Sequence, residues 1–192
     1  MAMTLCYAGS RGSTHDSLKD VLCFGSSDDT ELFKHTENFH AALNNPNKSS
    51  YSLEMANKLY PKKDYPLNKE YTDLVKKYFD ADLNPLDFNK KNESANAINK
   101  WVSQVTRNKI NDLISPDVID ELTRIILVNA IYFKGLWKTQ FEKAKTMKYD
   151  FNVSKVTKKQ VDMMILYTKD FKCFDTDFGA AVCELPYRGD DL

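Results

Sequence analysis

The chain has 192 residues, 42% hydrophobic and 12% aromatic, enough apolar material for a substantial core in one domain or two small ones. Its 27 Lys and Arg balance 27 Asp and Glu, which removes any bulk electrostatic case for nucleic acid or an anionic membrane as principal partner. No apolar run is long enough to span a bilayer, and the opening MAMTLCYAGSRG lacks the basic start, long apolar stretch and cleavage site of a targeting segment.

In chain order, Thr14 is a good N-cap for a helix with Leu18, Val21 and Leu22 at i, i+3 and i+4, closed by Gly25. A second helix from Thr30 turns Leu32, Phe39 and Leu43 to one side and is broken by Asn45 and Pro46. From Ser52 to Tyr60 the period changes to two. Leu53, Met55, Asn57 and Leu59 share one face of a strand that Pro61 stops. Pro66 suits the first turn of a helix carrying a broad stripe through Leu74, Val75, Tyr78 and Phe79, which reads as core packing. A short strand follows at Leu83 to Phe88. Asn92 and Glu93 then open a helix whose Ile98, Trp101, Val102 and Val105 fall on one face.

The run IILVNAIYF, Ile125 to Phe133, has apolar residues on both parities, which predicts a strand covered on both faces and central in a large sheet. Asn129 lies in its middle. A buried amide without partners costs roughly 1 to 3 kcal/mol, so Asn129 needs hydrogen bonds from another element. A locally satisfied core asparagine and a mechanistic residue both fit that pattern. Further strands are expected at Val161 to Leu166, Phe171 to Phe174 and Ala180 to Leu185, and helices early with strands late make the chain α+β. With no long linker, residues 1–192 read as one domain.

The cysteines, Cys6, Cys23, Cys173 and Cys183, form no C-x-x-C, and their apolar neighbours favour buried free thiols. N-x-S sequons stand at Asn47, Asn92 and Asn152, about as many as an Asn- and Ser-rich chain supplies by chance. There is no G-x-S-x-G, G-x-x-x-x-G-K or G-x-G-x-x-G, and His35 and His40 are spaced off a common helical face. The chain is therefore not expected to be an enzyme, and it offers no catalytic residue, metal site or cofactor. Scattered lysine pairs such as Lys62 with Lys63 read as solvated surface. A heparin-type polyanion site is unsupported, because the helix from Thr30 carries only Lys34 as a full positive charge.

Several motifs in a fixed order resemble the serpin family, the serine protease inhibitor superfamily. They are Gly9, Gly12 and Thr14; Asn57, Leu59 and Tyr60; Tyr78, Phe79, Asp87 and Phe88; INKWV at Ile98 to Val102; LVNAIYFKGLW at Leu127 to Trp137; and ELPY at Glu184 to Tyr187. Gln140 departs from the proline common before Phe141. The resemblance implies a partial serpin fold: helices packed on a large central sheet, with the start of a second and a third sheet. It further implies a single partial domain over 1–192, truncated at both ends, that lacks the N-terminal helix region and the C-terminal half with the reactive loop. The implied function is inhibition of serine proteases, with cysteine proteases as a second class, by a suicide-substrate mechanism. In that mechanism the cleaved loop enters the main sheet as an added strand. By the same resemblance Asn129 belongs to the polar shutter under the sheet and Trp137 to the breach where insertion begins, and no reactive-site loop residue lies in the chain. The family default location is extracellular, with cytoplasmic as the alternative. A non-inhibitory carrier, storage or chaperone role, or a truncated product without function, is the competing reading. As an isolated molecule this chain is expected to be inactive, to leave Asn129 without its partners, and to form no cooperative monomer.

Overall fold

The computed structural model describes residues 1–44, 50–168 and 171–189. The chain divides into two compact units, Met1–Asn47 with Leu53–Phe133, and Lys48–Ser52 with Lys134–Leu192.

The first unit opens with three helices: α1 (Ala2–Gly9), α2 (Gly12–Val21) and α3 (Asp29–Leu43). Helix α2 starts before Thr14. Arg11 sits in extended backbone at its N-cap and Gly12 takes φ +60°, so the turn is set by the glycine rather than by a threonine cap. Gly9 closes α1 where a Cβ would lie 3.0 Å from the Tyr71 ring, so helix packing demands the missing side chain. Asp28 caps α3 by accepting from Thr30 N–H. The expected breakers Asn45 and Pro46, and the Asn47 sequon, lie outside the described residues.

Strand β1 (Tyr51–Pro61) follows, then α4 (Lys69–Phe79), β2 (Ala81–Leu83), α5 (Lys91–Val105) and β3 (Ile125–Gly135). Helix α4 begins later than Pro66 suggests, because Asn68 is the side-chain cap, accepting from Glu70 N–H at 2.8 Å. The three strands form one sheet in the order β2-β1-β3, with β1 and β2 parallel and Asn57 opposite Ala81. Lys62 N–H donates to Arg124 O at 2.8 Å, and Asn57 meets Asn129 further back along β1 and further on along β3. Those two strands therefore run antiparallel.

Two cores lie on opposite faces of this sheet. On one, Leu59 and Ala81 pack with Leu5 and Tyr7 of α1, Phe33 of α3 and Phe79 of α4. On the other, Tyr60 and Val128 pack with Ala95, Ile98 and Val102 of α5, together with Phe88 and Ile119. The apolar stripe of α5 is thus the face that lies on the sheet. Strand β3 touches both cores, Ile125 and Leu127 with the first and Ile126 and Val128 with the second, which explains its apolar residues on both parities. Among the described residues β1 lies in the middle of the sheet and β3 at its end, and beyond Ala130 the odd-numbered face opens, with Ile131 50% and Phe133 37% exposed.

The second unit holds two antiparallel ribbons. In one, β4 (Met147–Asn152) pairs with β5 (Lys158–Met163); in the other, β6 (Lys172–Asp175) pairs with β7 (Ala181–Glu184). Alternation along β4 sets Met147, Tyr149 and Phe151 against Lys148, Asp150 and Asn152. On the polar side Lys148 pairs with Asp162 at 2.8 Å and Lys158 with Asp150 at 3.7 Å. The cysteines differ from expectation. Cys173 and Cys183 face each other across β6 and β7 and form a disulfide, Cα to Cα 4.2 Å, while Cys6 and Cys23 are free but exposed. For Cys173 and Cys183 apolar sequence neighbours did not imply burial, because on a ribbon with open faces both parities meet solvent.

Candidate functional site

The polar centre of the first unit is built on β1. Period-two alternation turns Met55, Asn57 and Leu59 to one buried face, and Asn57 is only 2% exposed there. Its amide donates to Phe79 O at 2.9 Å, where α4 ends, and its Oδ1 accepts from Asn129 Nδ2 on β3 at 2.9 Å. Asn129 Nδ2 also reaches Ala56 O at 3.4 Å. The sequence-predicted Asn129 is therefore half-buried and held by side-chain and main-chain oxygens of β1, not left without partners. One hydrogen-bonded line runs from the end of α4 through the central strand to the edge strand.

A second clamp grips the same strand. Asn44, at the end of α3, accepts from Met55 N–H and donates to Met55 O, both at 2.8 Å, as a neighbouring β-strand would. Buried His40 brings Nε2 to 3.0 Å from the same carbonyl. Next to Asn57, Lys58 pairs with Asp82 at 3.4 Å and lies 5.6 Å from the Trp101 ring centroid of α5. Tyr60 crosses to the α5 side, edge-on to Trp101, with a buried hydroxyl that lacks a hydrogen-bond partner. Burial, reinforced by the Asp82 charge, pushes the Tyr60 phenol up to about 12. Asn99 fixes the segment after α5 with a two-way bond to Ile114, donating to its carbonyl and accepting from its N–H at 2.9 Å each. At the open end of β3, Arg107 pairs with Glu54 and stacks 4.6 Å over the Tyr132 ring.

Trp137, the other sequence-predicted residue, belongs to the second unit. Its ring stacks on Tyr187 with centroids 4.5 Å apart and planes 12° from parallel. Backbone bonds bracket the pair, Lys138 N–H to Pro186 O at 2.9 Å and Arg188 N–H to Leu136 O at 2.7 Å. Gly189 follows with φ +108°, and an added Cβ there would lie 2.7 Å from Ser50 Oγ. The GLW and ELPY motifs are thus two sides of one small stacked corner. Asn129 and Trp137 each have a defined setting in their own unit.

Sequence reasoning placed Asn57 on the correct face without giving it a role. The available signal was a lone amide between Met55 and Leu59 on a buried face. The partners of Asn44 and His40 had no comparable signal, since the bonds by which both hold β1 go to the Met55 backbone. Among the described residues, no group of three or more His, Cys, Asp or Glu is arranged to hold a metal ion, and no helix is long and apolar enough to cross a membrane.

Comparison with known proteins gives this architecture a context. The family model described as Serpin (serine protease inhibitor) matches residues 1–192. The chain is 38% identical to Ipis-1 of Ixodes persulcatus over 192 residues, covering 98% of this chain and 49% of that protein. It is 34% identical to leukocyte elastase inhibitor A of Rattus norvegicus, covering 100% of this chain and 50% of that one. Among solved structures, cleaved Serpin 42Da superposes with a TM-score of 0.87 at 32% identity, covering 99% of this chain and 50% of that one. This chain therefore spans about half the length of the relatives it matches. The matched fold, the ordered motifs and the family model across every residue lead to one conclusion: the chain belongs to the serpin family.

Proposed function

We propose that the protein of which this sequence forms the sheet-bearing part inhibits serine proteases by suicide-substrate loop insertion, with cysteine proteases as a second target class. The observation that carries this reading is the Asn57–Asn129 bond at 2.9 Å between the central strand and the edge strand β3. A sheet that must accept a new strand beside β3 needs β3 held to its inner neighbour while its outer side changes partners. An amide pair with Asn57 buried and Asn129 half-buried does that directionally, because a buried amide forced out of register would be left unsatisfied at a cost of about 1 to 3 kcal/mol. In this reading Asn129 acts in the shutter, with Asn57 as its fixed partner, and Trp137 on Tyr187 marks the breach. The reactive loop lies in the part of the relatives' length that this chain does not match. The protein acts in the extracellular space.

The chemistry asked of the complete inhibitor is an interrupted acyl transfer. The protease serine attacks the scissile carbonyl of the loop, the peptide bond breaks and its amine leaves, and an ester joins loop to enzyme. Strand insertion then moves the acyl-enzyme before water can hydrolyse it. The test is to express the full-length product and incubate it with trypsin-, chymotrypsin- and elastase-like proteases. A covalent complex that survives boiling in detergent is expected with at least one of them. Cleavage of the loop by all three, with no complex formed, would overturn the inhibitory reading in favour of a carrier, storage or chaperone serpin.

A further inference from the structure

We propose that Asn152 carries an N-linked glycan. Two sequons fall within the described residues, and the structure treats them differently. Asn92-Glu93-Ser94 lies in the first turn of α5, where Ser94 is 2% exposed and its hydroxyl donates to Asp87 O at 2.9 Å. Helical backbone holds the asparagine amide and the serine hydroxyl apart, and the hydroxyl that a transferase must contact is buried. Asn152-Val153-Ser154 stands at the tip of a hairpin. Asn152 is the last residue of β4, opposite Lys158, and every residue from Asn152 to Lys158 is exposed. The five-residue connection is closed by Val153 N–H to Thr157 O at 2.9 Å, and Ser154 Oγ sits in the turn, accepting from Thr157 N–H at 3.0 Å. A tight, solvated turn of this kind can present amide and hydroxyl together to an enzyme, as the helix cannot. Val153 and Val156, 59% and 93% exposed at the same tip, are apolar surface that the first sugars of a glycan would cover.

A second observation points to the same compartment. The disulfide Cys173–Cys183 sits on an exposed ribbon, and accessible disulfides persist in oxidising compartments, where N-glycosylation also takes place. The reaction is a glycosyl transfer from a lipid-linked oligosaccharyl pyrophosphate. The Asn152 Nδ2–C1 bond forms, the bond from C1 to the pyrophosphate oxygen breaks, the lipid pyrophosphate leaves, and the amide proton passes to solvent. The inference rests on the extracellular placement given above but not on inhibition, so a protease complex formed by an unglycosylated protein would separate the two.

The test uses protein purified from its own tissue, digested to peptides and treated with peptide N-glycosidase in heavy-oxygen water. The Asn152 peptide is expected to return as aspartate carrying the heavy isotope, and the Asn92 peptide as unlabelled asparagine. Recovery of Asn152 as unmodified asparagine, or label at Asn92 in its place, would overturn the proposal.

Discussion

Asn57 satisfies two groups with one amide, the Phe79 carbonyl and the Asn129 Nδ2. Asn57→Ala takes one partner from each of these groups at once, so a loss of about 2 to 4 kcal/mol is expected in urea denaturation of the full-length product. Asn129→Ala should cost less, about 1 to 2 kcal/mol, because Asn129 is half-buried and Asn57 keeps its bond to Phe79. The tyrosines give a pH dependence of definite sign. Burial, with Asp82 adding, raises the Tyr60 phenol from 10.0 to about 12, and burial raises Tyr71, which donates to Leu5 O, to about 12 as well. A group whose folded pKa exceeds its unfolded one holds its stabilisation below the unfolded value and loses it as pH rises through the folded one. The urea midpoint should therefore stay level from neutrality to about pH 10 and fall between about pH 10 and 12. A midpoint unchanged across that window in wild-type protein would show that these phenols titrate normally. At this scale the sequence was informative where period placed a side chain: alternation put Asn57 with Met55 and Leu59, and it made Asn129 need a partner. It was silent on Asn44, His40 and the Cys173–Cys183 pair, whose partners depend on register and tertiary approach.

Elements were legible where one face is buried and obscure where exposure depends on neighbours. The α5 stripe through Ile98 and Val102 and the β1 alternation survive almost unchanged, because α5 lies against one core and β1 turns Met55, Asn57 and Leu59 to one buried face. Strand β3 is covered on both faces, Ile125 and Leu127 by one core and Ile126 and Val128 by the other, as its apolar residues on both parities imply. Strand β4 was missed, although MKYDFN alternates, because its apolar side includes no branched run to mark it. The β6–β7 ribbon carries a covalent tie, the Cys173–Cys183 disulfide. Its two strands pair over four residues each and are exposed throughout, and short two-stranded ribbons are marginal alone. Closing a loop with sequence separation 10 should contribute about 2 to 3 kcal/mol to that ribbon. Reduction with a dithiol is expected to release Lys172–Glu184 amides to fast hydrogen exchange while α5 amides keep their protection. Equal exchange before and after reduction would mean that packing, not the disulfide, holds the ribbon.

At the scale of the molecule, the described surface leaves apolar groups open on several elements. Ile131 and Phe133 lie on β3, Tyr149 and Phe151 on β4, Phe174 on β6 and Phe178 in the turn that joins β6 to β7. With β3 at a sheet edge, the 192-residue chain expressed alone is expected to self-associate. Light scattering after size exclusion should show species larger than a 22.1 kDa monomer, and a monomer with one sharp thermal transition would contradict this. The proposed loop insertion requires the cleaved loop to pair with β3. Hydrogen exchange of the full-length product, read at the Ile125–Tyr132 amides before and after cleavage of its reactive loop, tests this most directly. Exchange across β3 should slow markedly on cleavage while β2 is unchanged, and equal exchange in intact and cleaved protein would contradict the claim.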